Sequence, residues 1–228
     1  GDKLVEEGFF DKGSIPLTIK RKISKDLHLQ YFFDGKVSKN DSGEFKVTTN
    51  LYRTDDGKKL ATSIFSGNDV FTLVDEISVQ MKYDMEIPSA YIENTMDLPV
   101  KEITSESMKA IELWSKGASQ FVLKNYDKGI SLMEEAVSED DSFAMAYLSL
   151  QAMYVLTGNG NKRAGAAGKL MEYIYKLPER FHWTVKVLHF EVNNQLDKAA
   201  KVIEMHLELF PNDITAHSTV INLFVGQG

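Results

Sequence analysis

The sequence predicts an α+β chain: a small antiparallel β-meander with flanking helices, followed by an all-α superhelix of paired helices. Three observations carry this prediction. Two short Asp-, Asn-, Ser- and Gly-rich segments, 40–43 and 54–57, separate stretches in which apolar and polar residues alternate. Apolar residues at helical spacing flank those stretches on both sides. From Ser105 onward, Leu113, Tyr147, Trp183 and His217 mark equivalent places at intervals of 34, 36 and 34 residues.

Taken in order, Ser14 to Leu27 reads as an amphipathic helix, with Ile19, Ile23 and Leu27 on one face, basic residues between them, and Pro16 in the first turn. A strand follows over Gln30 to Val37. Asn40-Asp41-Ser42-Gly43 turns the chain into a second strand, in which Phe45, Val47, Thr49 and Leu51 alternate with polar neighbours. Thr54-Asp55-Asp56-Gly57 turns it again into Leu60 to Phe65, and such residues tolerate the positive φ of tight hairpins. Asn68 or Asp69 caps a second helix, whose stripe of Val70, Leu73, Val74, Ile77 and Met81 is expected to lie across the meander. Two helices are few to close both faces of a three-stranded sheet, so this module reads as incomplete at its N-terminal side. The proline-flanked stretch 86–100 reads as an irregular crossing to the helical part.

The chain of 228 residues carries 26 basic and 33 acidic groups, a net charge of −7, with 43 % apolar and 26 % charged residues. That profile suits a globular protein and excludes disorder or a collagen-like fibre. With no cysteine, disulfides, thiolate zinc, iron–sulfur clusters and cysteine nucleophiles are excluded, while the compartment stays open. A pI near 5.3 argues against a nucleic-acid surface, and no apolar run is long enough for a membrane span. Gly1 in place of Met, and an apolar run ending at Gly228, are read as signs of a piece cut from a longer protein.

The residues at the 34-residue interval resemble a tetratricopeptide (TPR) array. Gly117, Tyr126 and Ala136 stand where that family has its small residue on helix A, its aromatic after the turn and its small residue on helix B. Tyr147, Leu150, Tyr154 and Gly158 serve the second repeat, whose helix B, with Ala164, Ala166 and Ala167, departs from the pattern. The third repeat gives Trp183, Phe190, Ala199 and Pro211, and a fourth helix A begins at Asp213 with Val220 and Phe224. Repeats are expected at about 110–143, 144–179, 180–213 and, in part, 214–228. The two-residue surplus of the middle interval is expected around Gly158-Asn159-Gly160-Asn161. Small residues matter because paired helices approach closely only where a side chain is missing.

Residues 1–98 resemble the latter half of the TolB amino-terminal-like (FlgO-like) α/β module, through the segments 29–35, 51–58 and 71–78. Residues 99–228 form the expected TPR array. In bacterial multidomain proteins the TolB-like module often precedes TPRs, downstream of a kinase, cyclase or winged-helix output domain.

Candidate chemistry is sparse. His28, His182, His189, His206 and His217 show no metal-ligand spacing, and no Gly-x-Ser-x-Gly elbow or catalytic Ser, His, Asp order occurs. Asp55-Asp56-Gly57 is read as a turn, and Glu139-Asp140-Asp141 as a solvated loop rather than a calcium site. Gly165-Ala166-Ala167-Gly168 is read as close helix packing, since a phosphate loop needs a preceding strand and a lysine. Lys20-Arg21-Lys22 with Lys25 is read as a solvated basic face, with a phosphate contact as the alternative. No catalytic residue, metal or cofactor is expected.

The TPR resemblance places the concave groove on Ile111, Trp114, Ala118, Phe121 and Val122, then Met145, Leu148, Ala152, Val155 and Leu156, then Phe181, Thr184, Leu188, Glu191 and Val192. This groove is mainly apolar and lacks the Lys and Asn residues with which chaperone-binding TPRs hold a peptide carboxylate. Trp114 and Phe121, seven residues apart, share one helix face. Two occupants fit an apolar groove: a partner segment, or the chain's own N-terminal module, with partial cover favoured because so large an exposed apolar patch is unusual. The resemblance implies a non-enzymatic protein–protein interaction scaffold or regulatory segment. The alternative is the sensory or regulatory region of a bacterial signalling enzyme or transcription regulator, answering to an output domain upstream.

Overall fold

The computed structural model describes residues 2–10, 12–95 and 98–225 and divides the chain into two compact units, 1–101 and 102–228. The first holds helices α1 (Asp2–Glu6) and α2 (Leu17–Asp26), strands β1 (Tyr31–Lys39), β2 (Phe45–Arg53) and β3 (Lys59–Gly67), then α3 (Val70–Asp84), α4 (Ser89–Asn94) and the start of α5 (Val100–Ile103). Helix α2 begins after Pro16, whose ψ of 144° keeps it extended, so the proline caps the helix instead of entering its first turn. The strands form an antiparallel sheet in the order β1-β2-β3. Both turns come where the sequence places them, with Gly43 at φ 87° and Gly57 at φ 72°.

Register assigns the two faces of the sheet. Phe33 opposes Leu51, and Val47 lies between Val37 and Phe65, so these apolar residues share one face. Leu73 of α3 is buried, and a Cβ placed on Gly67 would meet it at 3.3 Å, so α3 packs on this face. Asp69 caps α3 by accepting from the Phe71 amide. Phe32 and Tyr52 occupy the other face with rings stacked 5.2 Å apart. Helix α2 is tied to that side, Lys20 to Asp34 at 2.8 Å and Arg21 to the Thr54 carbonyl at 2.9 Å. The basic cluster is only partly a solvated face: Lys20 and Arg21 anchor α2 to the sheet, while Lys22, paired with Glu7, and Lys25 stay exposed. The stretch 86–100 is not irregular throughout, because α4 starts directly after Pro88.

The second unit is a TPR-like stack of helical hairpins: α6 (Met108–Val122) with α7 (Tyr126–Glu139), α8 (Ala144–Thr157) with α9 (Gly160–Glu172), α10 (His182–Val192) with α11 (Leu196–Leu209), then α12 (Ile214–Val225). Every hairpin turns in the same way. Lys124, Gly158 and Asn194 adopt φ of 62°, 70° and 55°, each two residues before the second helix begins. The next amide in each case reaches back five residues, Asn125 to Gln120, Asn159 to Tyr154 and Gln195 to Phe190. Each second helix starts 13 residues after its marker, at Tyr126, Gly160 and Leu196. The surplus of the middle interval thus lies elsewhere than around Gly158. It falls between α9 and α10, in two one-turn 3₁₀ helices, Ile174–Lys176 and Glu179–Phe181.

Small residues set the first crossing. A Cβ on Gly117 would meet Met133 Cγ at 3.0 Å and the Gly129 carbonyl at 3.1 Å, and one on Gly129 would meet Met153 Sδ at 3.1 Å. The third hairpin crosses at buried Val187 and Ala199. The second has Gln151 and Arg163 at the equivalent places, again 12 residues apart. The Gln151 amide donates to the Arg163 carbonyl at 2.7 Å, and the guanidinium reaches Glu191 on α10 at 2.8 Å. The close packing of 165–168 is carried by its alanines: Ala166 and Ala167 are buried, whereas a Cβ on Gly165 or Gly168 would meet nothing within 4 Å.

Candidate binding surface on the helical array

The core of the second unit takes up most of the residues that mark its repeats. Gly117, Ala136, Tyr147, Tyr154 and Ala199 are buried, Tyr126 packs its ring against Phe121 at 5.8 Å, and Pro211 is exposed. The buried tyrosines end in carboxylates: Tyr147 Oη donates to Asp141 at 2.9 Å and Tyr154 Oη to Glu134 at 2.8 Å. Burial, reinforced by those carboxylates, pushes both phenols well above the usual tyrosine range. Burial also pushes the Glu134 carboxyl up, but hydrogen bonds from Lys162 and Tyr154 outweigh it and hold Glu134 below the usual glutamate range. Trp183 stacks on His206 with centroids 4.5 Å apart, and His206 bonds Asp213 at 2.8 Å. Phe190 lies half-buried under Lys198.

The groove residues separate by exposure. Leu188 is buried within the array, and Trp114 is half-buried, its indole donating to Ser149 at 3.1 Å and its ring tilted against Phe143. Phe121 and Leu148 are half-buried against the core. Ala152, Val155 and Leu156 are open, Val155 at 56 % and Leu156 at 57 % exposure. These three share the exposed side of α8. Glu191 is held by Arg163. The free apolar surface is thus narrower than the sequence expectation and centres on the last two turns of α8.

The acidic segment 139–141 is exposed at Glu139 and Asp141, as a solvated segment would be, but each of its carboxylates is also engaged. Glu139 pairs with Lys109, Asp140 accepts from Ser105 and Ser142, and Asp141 takes Lys169 and Tyr147. Hydrogen bonds and neighbouring lysines hold Glu139 and Asp141 below the usual carboxylate range. Among the described residues no three His, Asp or Glu side chains are grouped to hold a metal ion. His182 bonds the Leu177 carbonyl at 2.9 Å. None of the described helices is long and apolar enough to cross a membrane.

Two features escaped the sequence reading. Gly129 completes the crossing with Gly117, and the shared 12-residue offset to Gln151–Arg163 and Val187–Ala199 is the signal that finds it. An open apolar hollow of about 510 Å³ also lies beside Trp183, His206, Phe210 and Pro211. Residues 226–228 and the side chain of Phe224, named in the sequence reading, lie outside the described residues.

No protein-family profile matches the chain, and no curated protein matches it. Among solved structures it is similar to the MamA RS-1 ArsTM double mutant, with a TM-score of 0.42 and 12 % identity, over 70 % of this chain and 86 % of that chain.

Proposed function

We propose that residues 99–228 are a non-enzymatic TPR scaffold that binds a partner polypeptide through the concave surface of its first helices, following a partial TolB-like module at 1–98. The observation that carries this reading is the open apolar strip Ala152, Val155 and Leu156 on a helix whose opposite side is fully packed. Helix α8 holds the stack through buried Ala146, Leu150 and Met153, so packing does not account for the large side chains it leaves exposed. Large aliphatic side chains kept in water on a rigid element fit a recognition surface, where an apolar centre supplies affinity and a polar rim supplies selectivity. Phe121 and Leu148 extend the strip, and Glu191 with Arg163 forms part of its rim. The carboxylates nearby are occupied in repeat-to-repeat pairs, which supports binding over catalysis.

The test is selection of displayed random peptides on the full chain, followed by binding to Val155→Asp/Leu156→Asp. Retained helicity and melting temperature with at least tenfold weaker peptide binding is the expected result. Selected peptides that bind the double variant as tightly as the original chain refute the surface.

A further inference from the structure

The last joint of the helical unit is built differently from the first. Ala136, Leu170 and His206 hold equivalent places, each 23 residues after a repeat marker, and only the first two are apolar and fully buried. Phe143 and Asp213 each lie four residues before the next marker, directly ahead of α8 and α12. Phe143, 1 % exposed, plugs the first joint with its ring against Trp114. At the last joint Asp213 replaces that ring with a short carboxylate, which takes His206 at 2.8 Å and accepts from the Thr215 and Ala216 amides. The hollow of about 510 Å³ lies at this unplugged place, beside Trp183, Phe210 and Asp213.

The hollow continues into a second one of about 540 Å³ between α10 and α11, and Trp183, His206, Leu209 and Phe210 line both. Met205, Leu209 and Phe210 stand 57 %, 76 % and 57 % exposed along this groove, which holds no residue of α8. Its polar lining divides into occupied and unoccupied groups. Asp213 is held by His206 and the two amides, and His182 bonds the Leu177 carbonyl. Arg180 and Lys186 form no ion pair among the described residues, and Arg180 rests over the Phe181 ring, where its N–H donors stay available. Glu179 is the one unoccupied acid of the lining, so free cations exceed free anions here on a chain whose net charge is −7.

We propose that this groove docks an acidic polypeptide segment that inserts one aromatic side chain into the hollow beside Trp183. A ring entering there does for the last joint what Phe143 does for the first, and it finds Trp183 and Phe210 as ring partners. Arg180 and Lys186 on the rim complement carboxylates that flank the ring. In so open a groove a free small molecule would leave much of its surface in water, whereas a chain running from the hollow along α11 also covers Met205 and Leu209. This surface is separate from the α8 strip and does not depend on it.

The experiment pans displayed random peptides on the full chain and removes those that also bind Met205→Ser/Leu209→Ser, whose changes fall on exposed positions. Survivors with Phe, Tyr or Trp flanked by Asp or Glu are expected. As synthetic peptides they should shift the indole N–H resonance of Trp183 and not that of Trp114. Arg180→Glu should weaken them about tenfold, and so should alanine in place of the peptide's aromatic residue. Val155→Asp/Leu156→Asp should leave their affinity unchanged, which keeps the fate of this groove apart from that of the α8 strip. No survivors, or survivors rich in Lys and Arg, would overturn the proposal. So would loss of binding with Val155→Asp/Leu156→Asp, or phenylacetate binding as tightly as the peptides, which would make the hollow a small-molecule site.

Discussion

Four glycines of the helical unit divide into two pairs that one substitution should drive in opposite directions. Gly165 and Gly168 lie inside α9 with open space where a Cβ would go, so alanine there changes only helix propensity. The expected gain is about 1 kcal/mol for each, roughly 2 kcal/mol together. Gly117 and Gly129 gain the same propensity, but their Cβ atoms would come within 3.1 Å of Met133 or Met153 atoms. Met133 and Met153 are themselves buried, and for Gly117 the Gly129 carbonyl at 3.1 Å is backbone that cannot rotate away. Overpacking of this kind costs about 1–3 kcal/mol, so either alanine should destabilise by roughly 1 kcal/mol net. Urea unfolding followed by tryptophan fluorescence isolates the effect, because Trp114 and Trp183, the two tryptophans of the chain, both belong to the helical unit. With a urea slope of about 2 kcal/mol per molar, the Gly165→Ala/Gly168→Ala midpoint should rise by about 1 M. A midpoint that falls for this pair, or rises for Gly117→Ala, refutes the assignment of which glycines hold the crossing.

Two further outcomes follow from the same helices. Lys124→Gly should stabilise by up to about 1 kcal/mol, since a lysine at φ 62° carries a Cβ penalty that glycine lacks; the same denaturation series measures it, and no gain would show that the lysine stem compensates through packing. Glu134 has its folded pKa held below the usual glutamate value, so its contribution is complete above that value and is lost as pH falls through and below it. Glu134→Gln should therefore show a shallower loss of melting temperature between about pH 5 and pH 3 than the original chain, and identical slopes would mean that Lys162 and Tyr154 do not favour the carboxylate.

The hairpins were legible because their markers are large or aromatic residues at constant spacing, and the meander because its turns use residues that tolerate positive φ. What misled was glycine read by composition. Gly158-Asn159-Gly160-Asn161 looks like an insertion, yet Gly158 occupies the same left-handed place that Lys124 and Asn194 fill without any sequence mark. The true surplus sits among Tyr, Lys and Pro residues that form 3₁₀ turns and resemble helix in pattern. Gly165 and Gly168 suggested close approach although their neighbours Ala166 and Ala167 make it. At the binding surface, helical position alone named Leu188 and Val155 together. Which one faces water depends on neighbouring helices, a property no local spacing encodes.

The Gln151–Arg163–Glu191 rung has a consequence for how the array comes apart. In a stack where each hairpin touches only its neighbours, cooperativity is a product of successive couplings. The first and third crossings rest on shape and apolar area, which salt barely alters. The link from α9 to α10 rests in part on an ion pair between half-exposed groups, which ionic strength weakens. Salt therefore acts on this stack at its joints, on Glu134–Lys162 and Asp141–Lys169 between the first two hairpins and on Arg163–Glu191 between the second and third, tuning whether the hairpins melt as one body or in parts.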